Sequence, residues 1–188
     1  MDKFERLFQV LKSETFLKKL SLGGEIPFYI STYRPEDENK VSVSITLLKK
    51  KLETHGIDVF MINLYDLCLD ILCEEDDLED FFQLEEQLSQ SEFLEELSSA
   101  LNAETAIIPE IENRINQSNA RIVFITGVGQ VYPFLRSHTV INNLQRIVKD
   151  VPVVMFYPGD YDGQKLSLFG RLKNENYYRA FNIDEIRI

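Results

Sequence analysis

The sequence predicts an α/β fold: a three-layer, doubly wound, mainly parallel sheet, P-loop-like or Rossmann-like without nucleotide motifs, with a helical acidic insertion. Three observations lead to it. Short apolar runs rich in Ile, Val and Phe alternate with segments whose apolar residues recur at helical spacing, as in a sheet covered by helices. The runs are apolar at consecutive positions, as expected where both faces of a strand are buried. Glycines, prolines and acidic residues stand at the boundaries between the two kinds of segment.

The first segment reads as helix. Phe4, Leu7, Phe8 and Leu11 share one face, and Phe16, Leu17 and Leu20 continue it up to Gly23-Gly24. Pro27-Phe28-Tyr29-Ile30-Ser31-Thr32 is a predicted strand. Pro35 with Glu36, Asp37 and Glu38 suits the positive end of a second helix, whose stripe is Val41, Ile45, Leu48 and Leu52 and whose stop is Gly56. The run Ile57 to Leu64 is the next strand and completes a right-handed βαβ unit. The same grammar returns with a strand from Arg121 to Thr126, a helix expected to begin at Pro133, and a strand from Val151 to Tyr157. In that helix Val140, Ile141, Leu144, Ile147 and Val148 form the buried side, and Tyr178 to Ile183 is expected at a sheet edge. Between the two units lie Leu78, Phe81, Phe82 and Leu88, then Phe93, Leu94, Leu97 and Leu101, spaced for one or two amphipathic helices. Ser89 and Glu92 form a predicted capping box between them, and Pro109, Ile111 and Ile115 predict a last short helix.

At 188 residues, with 44% hydrophobic residues and 13 Phe, the chain fits one α/β domain spanning 1–188, with residues 66–117 as the acidic helical insertion. No run of about 18 apolar residues occurs, so no membrane association is expected. The charged start Asp2-Lys3-Phe4-Glu5-Arg6 lacks the apolar stretch of a secretory leader, and the cytoplasm is the expected location. Cys68 and Cys73, the two cysteines, point to different faces of a predicted helix and read as two buried thiols. The net charge of −11 is unevenly placed. From Leu52 to Asn113 there is no Lys or Arg against 18 acids, while the remainder holds 20 Lys and Arg against 13 acids. Such an acidic surface repels phosphates, so weak or no direct nucleic-acid binding is expected.

In a parallel sheet, ligands collect at the C-terminal strand ends. Gly127-Val128-Gly129 follows a strand there, but the third glycine of a dinucleotide loop is missing, Tyr132 and Pro133 occupy its place, and no Lys-Ser/Thr pair follows. A tight turn is the simpler reading. Arg136 and His138 lie close by, yet no nucleophile or carboxylate stands at a recognisable spacing from His138. Asp160-Tyr161-Asp162-Gly163 has too few oxygen ligands for a cation loop. The candidate binding rim is therefore Arg34, Gly127, Gly129, Arg136, His138 and Asp160, with no catalytic residue, metal site or cofactor assigned.

Three segments carry a family resemblance. The first is Arg121 to His138, with Gly127-Val128-Gly129, Tyr132-Pro133 and Arg136-Ser137-His138 at its centre. The second is Phe156-Tyr157-Pro158-Gly159 with Asn176-Tyr177-Tyr178-Arg179-Ala180-Phe181, and the third is Ile62 to Leu67. Together they resemble BrxB, the small B component of BREX bacteriophage-exclusion systems. The resemblance implies a part in an antiphage system that blocks phage DNA replication and methylates host DNA. It also implies partners among the other BREX subunits: the ATPase, the methyltransferase and, first among them, the alkaline-phosphatase-like PglZ. The family has no assigned catalytic residues, so none is carried over.

Residues and resemblance together predict a non-enzymatic assembly or adaptor subunit acting through protein–protein contacts. Its partner surface is expected at Glu85, Glu86, Glu95 and Glu96 or at the rim. The alternative is a nucleotide-binding sensor or enzyme using the glycine rim. Self-association into a homodimer stays open.

Overall fold

A computed structural model describes residues 2–18, 28–74, 78–173 and 180–186. Helix α1 (Lys3–Leu11) is capped by Asp2, and a short α2 (Glu14–Leu17) by Ser13. Strand β1 (Phe28–Tyr33) leads through a 3₁₀ turn at Pro35–Asp37 into α3 (Glu38–Thr54), and β2 (Val59–Asn63) follows. Helix α4 (Leu64–Glu74) begins directly at the end of β2. Then come α5 (Leu78–Gln87), α6 (Gln90–Ala100), a π-helical turn at Ala103–Ile107 and α7 (Ile108–Gln117). Strand β3 (Ile122–Thr126), α8 (Ser137–Ile147) and β4 (Val153–Tyr161) complete the second unit. Two short strands, β5 (Leu166–Leu168) and β6 (Leu172–Lys173), precede β7 (Phe181–Asn182).

The strand order β2-β3-β4-β1-β7 is parallel throughout. From β1 the chain crosses α3 to the far edge at β2, then steps back through β3 and β4 until β4 lies beside β1. Phe28 pairs with Val153 and Tyr33 with Pro158 in that central contact. Strand β4 then leaves the parallel sheet: Gly159 to Tyr161 pair antiparallel with β5, and β5 with β6.

Side-chain alternation sorts the strands into two cores. Phe28, Ile30, Ile62, Val123, Ile125, Val153, Met155 and Tyr157 face α4, α5, α7 and α8. Tyr29, Val59, Ile122, Phe124, Val154 and Phe156 face α1, α2 and α3, which contribute Leu7, Leu11, Phe16, Ile45, Leu48 and Leu52. Helices therefore cover both faces of the sheet, which is why its strands are apolar at consecutive positions. Among the described residues no helix is long and apolar enough to cross a membrane.

Several expectations are corrected. The first helix breaks at Lys12-Ser13, because the Ser13 hydroxyl accepts from the Phe16 N–H and opens a new helix. Leu20, Gly23-Gly24 and Pro27 lie outside the described residues, as do Tyr178 and Arg179. Helix α8 begins at Ser137 rather than Pro133: residues after Gly127 run through successive turns, and the Tyr132–Pro133 peptide is cis. Cys68 is buried, but Cys73 is exposed on the other side of α4. The β5–β6 hairpin was not expected, since strands of two and three residues show no periodicity.

Candidate functional site

The C-terminal rim of the sheet divides into separate hollows, and the predicted rim residues are divided among them. Helix α3 leaves β1 on one face, while β4 is reached through α8 on the other. The ends of β1 and β4 therefore form the switch point where open α/β sheets place ligands. A cleft of about 640 Å³ opens there, and both Arg34 and Asp160 line it. Glu36 and Asp37 join Asp160, so among the described lining residues three carboxylates accompany one guanidinium. That balance is unsuited to holding phosphates. Nearby, the Tyr33 hydroxyl donates to Glu38 Oε2 at 2.6 Å, and burial together with this carboxylate pushes its pKa up.

The two rim glycines serve packing. Gly127 has φ +75°, and a Cβ on it would come within 2.2 Å of Asn63 Oδ1. That oxygen is occupied, accepting from the N–H groups of Tyr65 at 2.9 Å and Asp66 at 3.4 Å. Asn63 thereby ties off the start of α4, and Gly127 lets the end of β3 approach it. Gly129 lies under Phe169 and Pro158, each 3.0 Å from where its Cβ would be. Phe169 itself sits at φ +56° at the tip of the β5–β6 turn, an uncommon conformation for a bulky residue. The Pro158 carbonyl holds it by accepting from its N–H at 2.8 Å.

Arg136 and His138 stand at the start of α8 and line a different cleft from Arg34 and Asp160. Arg136 is the residue before the first helical turn, His138 is half-buried, and both line a cleft of about 330 Å³ with Tyr132, Ser137, Tyr157 and Arg171. Burial and the Arg136 charge lower the His138 pKa. Burial pushes the Tyr157 phenol up to about 12, opposed by its hydrogen bond with Ser137. Arg171 was not anticipated, because it comes from the unexpected hairpin.

Arg136 also lines a groove of about 630 Å³ on its other side, opposite Glu95 of α6. Leu94, Leu101, Phe134 and Leu135 contribute the apolar part of that groove. The capping box is present: the Ser89 hydroxyl accepts from the Glu92 N–H, and the Glu92 carboxylate accepts from the Ser89 N–H. Glu85, Glu86, Glu95 and Glu96 are all exposed, and none forms an ion pair among the described residues. Phe81 is buried against Phe93 in an edge-to-face contact, whereas its neighbour Phe82 is 58% exposed. Among the described residues, no three His, Cys, Asp or Glu side chains gather closely enough to hold a metal ion.

Residues 60–183 match the family described as BREX protein BrxB. The chain is 38% identical over 186 residues to BREX protein BrxB of Bacillus cereus (strain H3081.97), covering 95% of this chain and 96% of that protein. It is 30% identical over 181 residues to BREX protein BrxB of Escherichia coli O9:H4 (strain HS), covering 95% of this chain and 90% of that protein. No solved structure matches it. A match of this extent, running through both βαβ units and the helices between them, places the chain in the BrxB family, a component of BREX phage defence.

Proposed function

We propose that the chain is a non-enzymatic assembly subunit that docks another BREX protein, PglZ, in the groove between α6 and the segment before α8. One observation carries this reading: Glu95 and Arg136, from the acidic helices and the rim respectively, line the same groove beside Leu94, Leu101 and Phe134. An apolar floor with charges at its edges is the usual anatomy of a protein interface. The exposed acids of α5 and α6 would steer a basic partner, and rim charges govern encounter rate more than affinity. Phe82, exposed beside Glu85 and Glu86, supplies an aromatic anchor on the same acidic layer.

The nucleotide reading of the glycine rim has less support, because the space a phosphate would need at Gly127 and Gly129 is filled by Asn63, Phe169 and Pro158. Association with purified PglZ, measured by biolayer interferometry over a salt series, tests the proposal. Glu95→Lys/Glu96→Lys should slow association with little change in melting temperature. Unchanged binding in that variant and in Phe134→Ser would place the interface elsewhere.

A further inference from the structure

The cleft on the other side of Arg136 has a different chemistry. In a chain of net charge −11, no carboxylate is among the described residues that line it. Arg136 enters from the start of α8 and Arg171 from the β5–β6 hairpin. Neither forms an ion pair among the described residues, although Arg114 elsewhere engages both Glu110 and Asp70. Like charges converge on one hollow only at a cost, which a bound anion would relieve. The Tyr132 hydroxyl adds a donor beside Ser137, whose hydroxyl is hydrogen-bonded with Tyr157, and Arg136 gives the first turn of α8 no side-chain cap. Such a set of donors suits an acceptor-rich tetrahedral oxyanion, and guanidinium forks match phosphate oxygens two at a time. Tyr132, 38% exposed and edge-to-face with Phe169, offers a flat apolar wall for whatever the phosphate carries. The volume of about 330 Å³ suits a small ligand rather than a chain.

We propose that this cleft binds a small phosphate monoester, its phosphate held between Arg136 and Arg171 beside Ser137 and its organic part against Tyr132. The occupant differs from a docked protein, and the cleft differs from the glycine rim and from the acidic cleft at Arg34. His138 reports on it directly. Its protonation is disfavoured by burial and by Arg136, and a bound dianion would reverse the second of these. The chain's other imidazole, His55, lies at the end of α3 against Phe8, remote from the cleft.

The test follows both imidazoles by NMR while the full chain is titrated with inorganic phosphate, AMP and adenosine, at constant ionic strength set with chloride. Phosphate and AMP should shift His138 saturably and raise its pKa, with AMP binding tighter, while His55 stays still and adenosine has no effect. Arg171→Ala should weaken AMP about tenfold, the order expected for one lost charge-assisted contact. Arg171→Lys, which keeps the charge, should recover part of that loss, and both variants should melt with the parent. A hexanucleotide bearing a 5′-phosphate distinguishes a strand end from a free monoester. Its binding in place of AMP would overturn the proposal. So would the absence of saturation at millimolar phosphate and AMP, equal shifts at both histidines, or AMP binding unchanged in Arg171→Ala.

Discussion

Lys3 Nζ lies 3.0 Å from the carboxylate of Asp184, joining helix α1 to the turn that follows β7. The same carboxylate accepts from the Ser31 hydroxyl at 3.1 Å and the Thr32 N–H at 3.1 Å, so three segments meet on one side chain at the end of β1. Ser31 is fully buried, and its hydroxyl would be left without this partner if the carboxylate were removed. Asp184→Ala is therefore expected to destabilise the fold by about 1–3 kcal/mol, the range for a buried donor left unsatisfied. Asp184→Asn should cost less. Urea unfolding of both variants checks the order.

The rim glycines differ in how much they can give. Gly127→Ala meets both an unfavourable backbone angle and the Asn63 carbonyl oxygen that holds α4 in place. A loss of about 1–3 kcal/mol is expected, as for other strained backbone substitutions. Gly129→Ala has no positive φ to contend with and presses first on the Phe169 and Pro158 side chains, and should cost about 1 kcal/mol or less. If the two variants melt together, the close approach at Asn63 is not what requires glycine.

The capping box at the head of α6 is exposed and local. Ser89→Ala should lower stability by about 1 kcal/mol, with Ser89→Gly between it and the parent. Thermal melting of the three proteins checks this.

His138 gives the pH dependence a definite sign. Its folded pKa lies below the ordinary 6.5 because burial and Arg136 disfavour the charged ring. The unfolded chain therefore takes up this proton first as pH falls. The contribution is fully present above pH 6.5, declines through the folded pKa, and is constant below it. Stability of His138→Gln relative to the parent should rise between about pH 7 and 5, where an ordinary histidine titrates. Arg136→Ala should move the His138 pKa upward, which an NMR titration reads directly.

Phe82 separates a docking layer from a solvated cover. As a solvated cover residue, Phe82→Ser would change stability by no more than about 0.5 kcal/mol and leave binding to PglZ unchanged. For a docking anchor the same small stability change should accompany a faster dissociation rate. Duplex DNA, by contrast, should bind weakly at physiological salt and more weakly as salt rises.

Much of this architecture was legible because burial leaves a simple mark on sequence. Strands β2, β3 and β4 are flanked by helices on both faces, so Val59, Ile122 to Ile125 and Val153 to Phe156 read as unbroken apolar runs. The α6 start was equally plain, since Ser89 and Glu92 act on each other within one turn. What escaped detection depends on residues distant in the chain. Nothing near Gly170-Arg171 announces that a hairpin will carry Arg171 to the start of α8. Nor could spacing reveal that Arg34 and Asp160 share one cleft while Arg136 and His138 share another. Asn63 carries a usable signal, an Asn immediately ahead of an apolar helical run, in keeping with its hold on the first N–H groups of α4. The exposed Cys73 followed the opposite helix face correctly, but that face meets solvent rather than a second core.

The placement of β1 governs when the sheet can be made. Its neighbours are β4 and β7, and Phe28 must wait for Val153, and Tyr29 for Phe181, before either has a ladder partner. During synthesis the α3, β2, α4 and β3 segments emerge well before the strand that joins them to β1. Contacts of such wide sequence separation slow folding, because chain closure precedes the gain from pairing. A nascent chain halted ahead of Val153 holds β2 beside β3 but leaves β1 with both edges bare, a state prone to pairing with other chains. The sheet's central seam thus joins an early-made strand to a late-made one, and a chain cut short before β4 cannot close it.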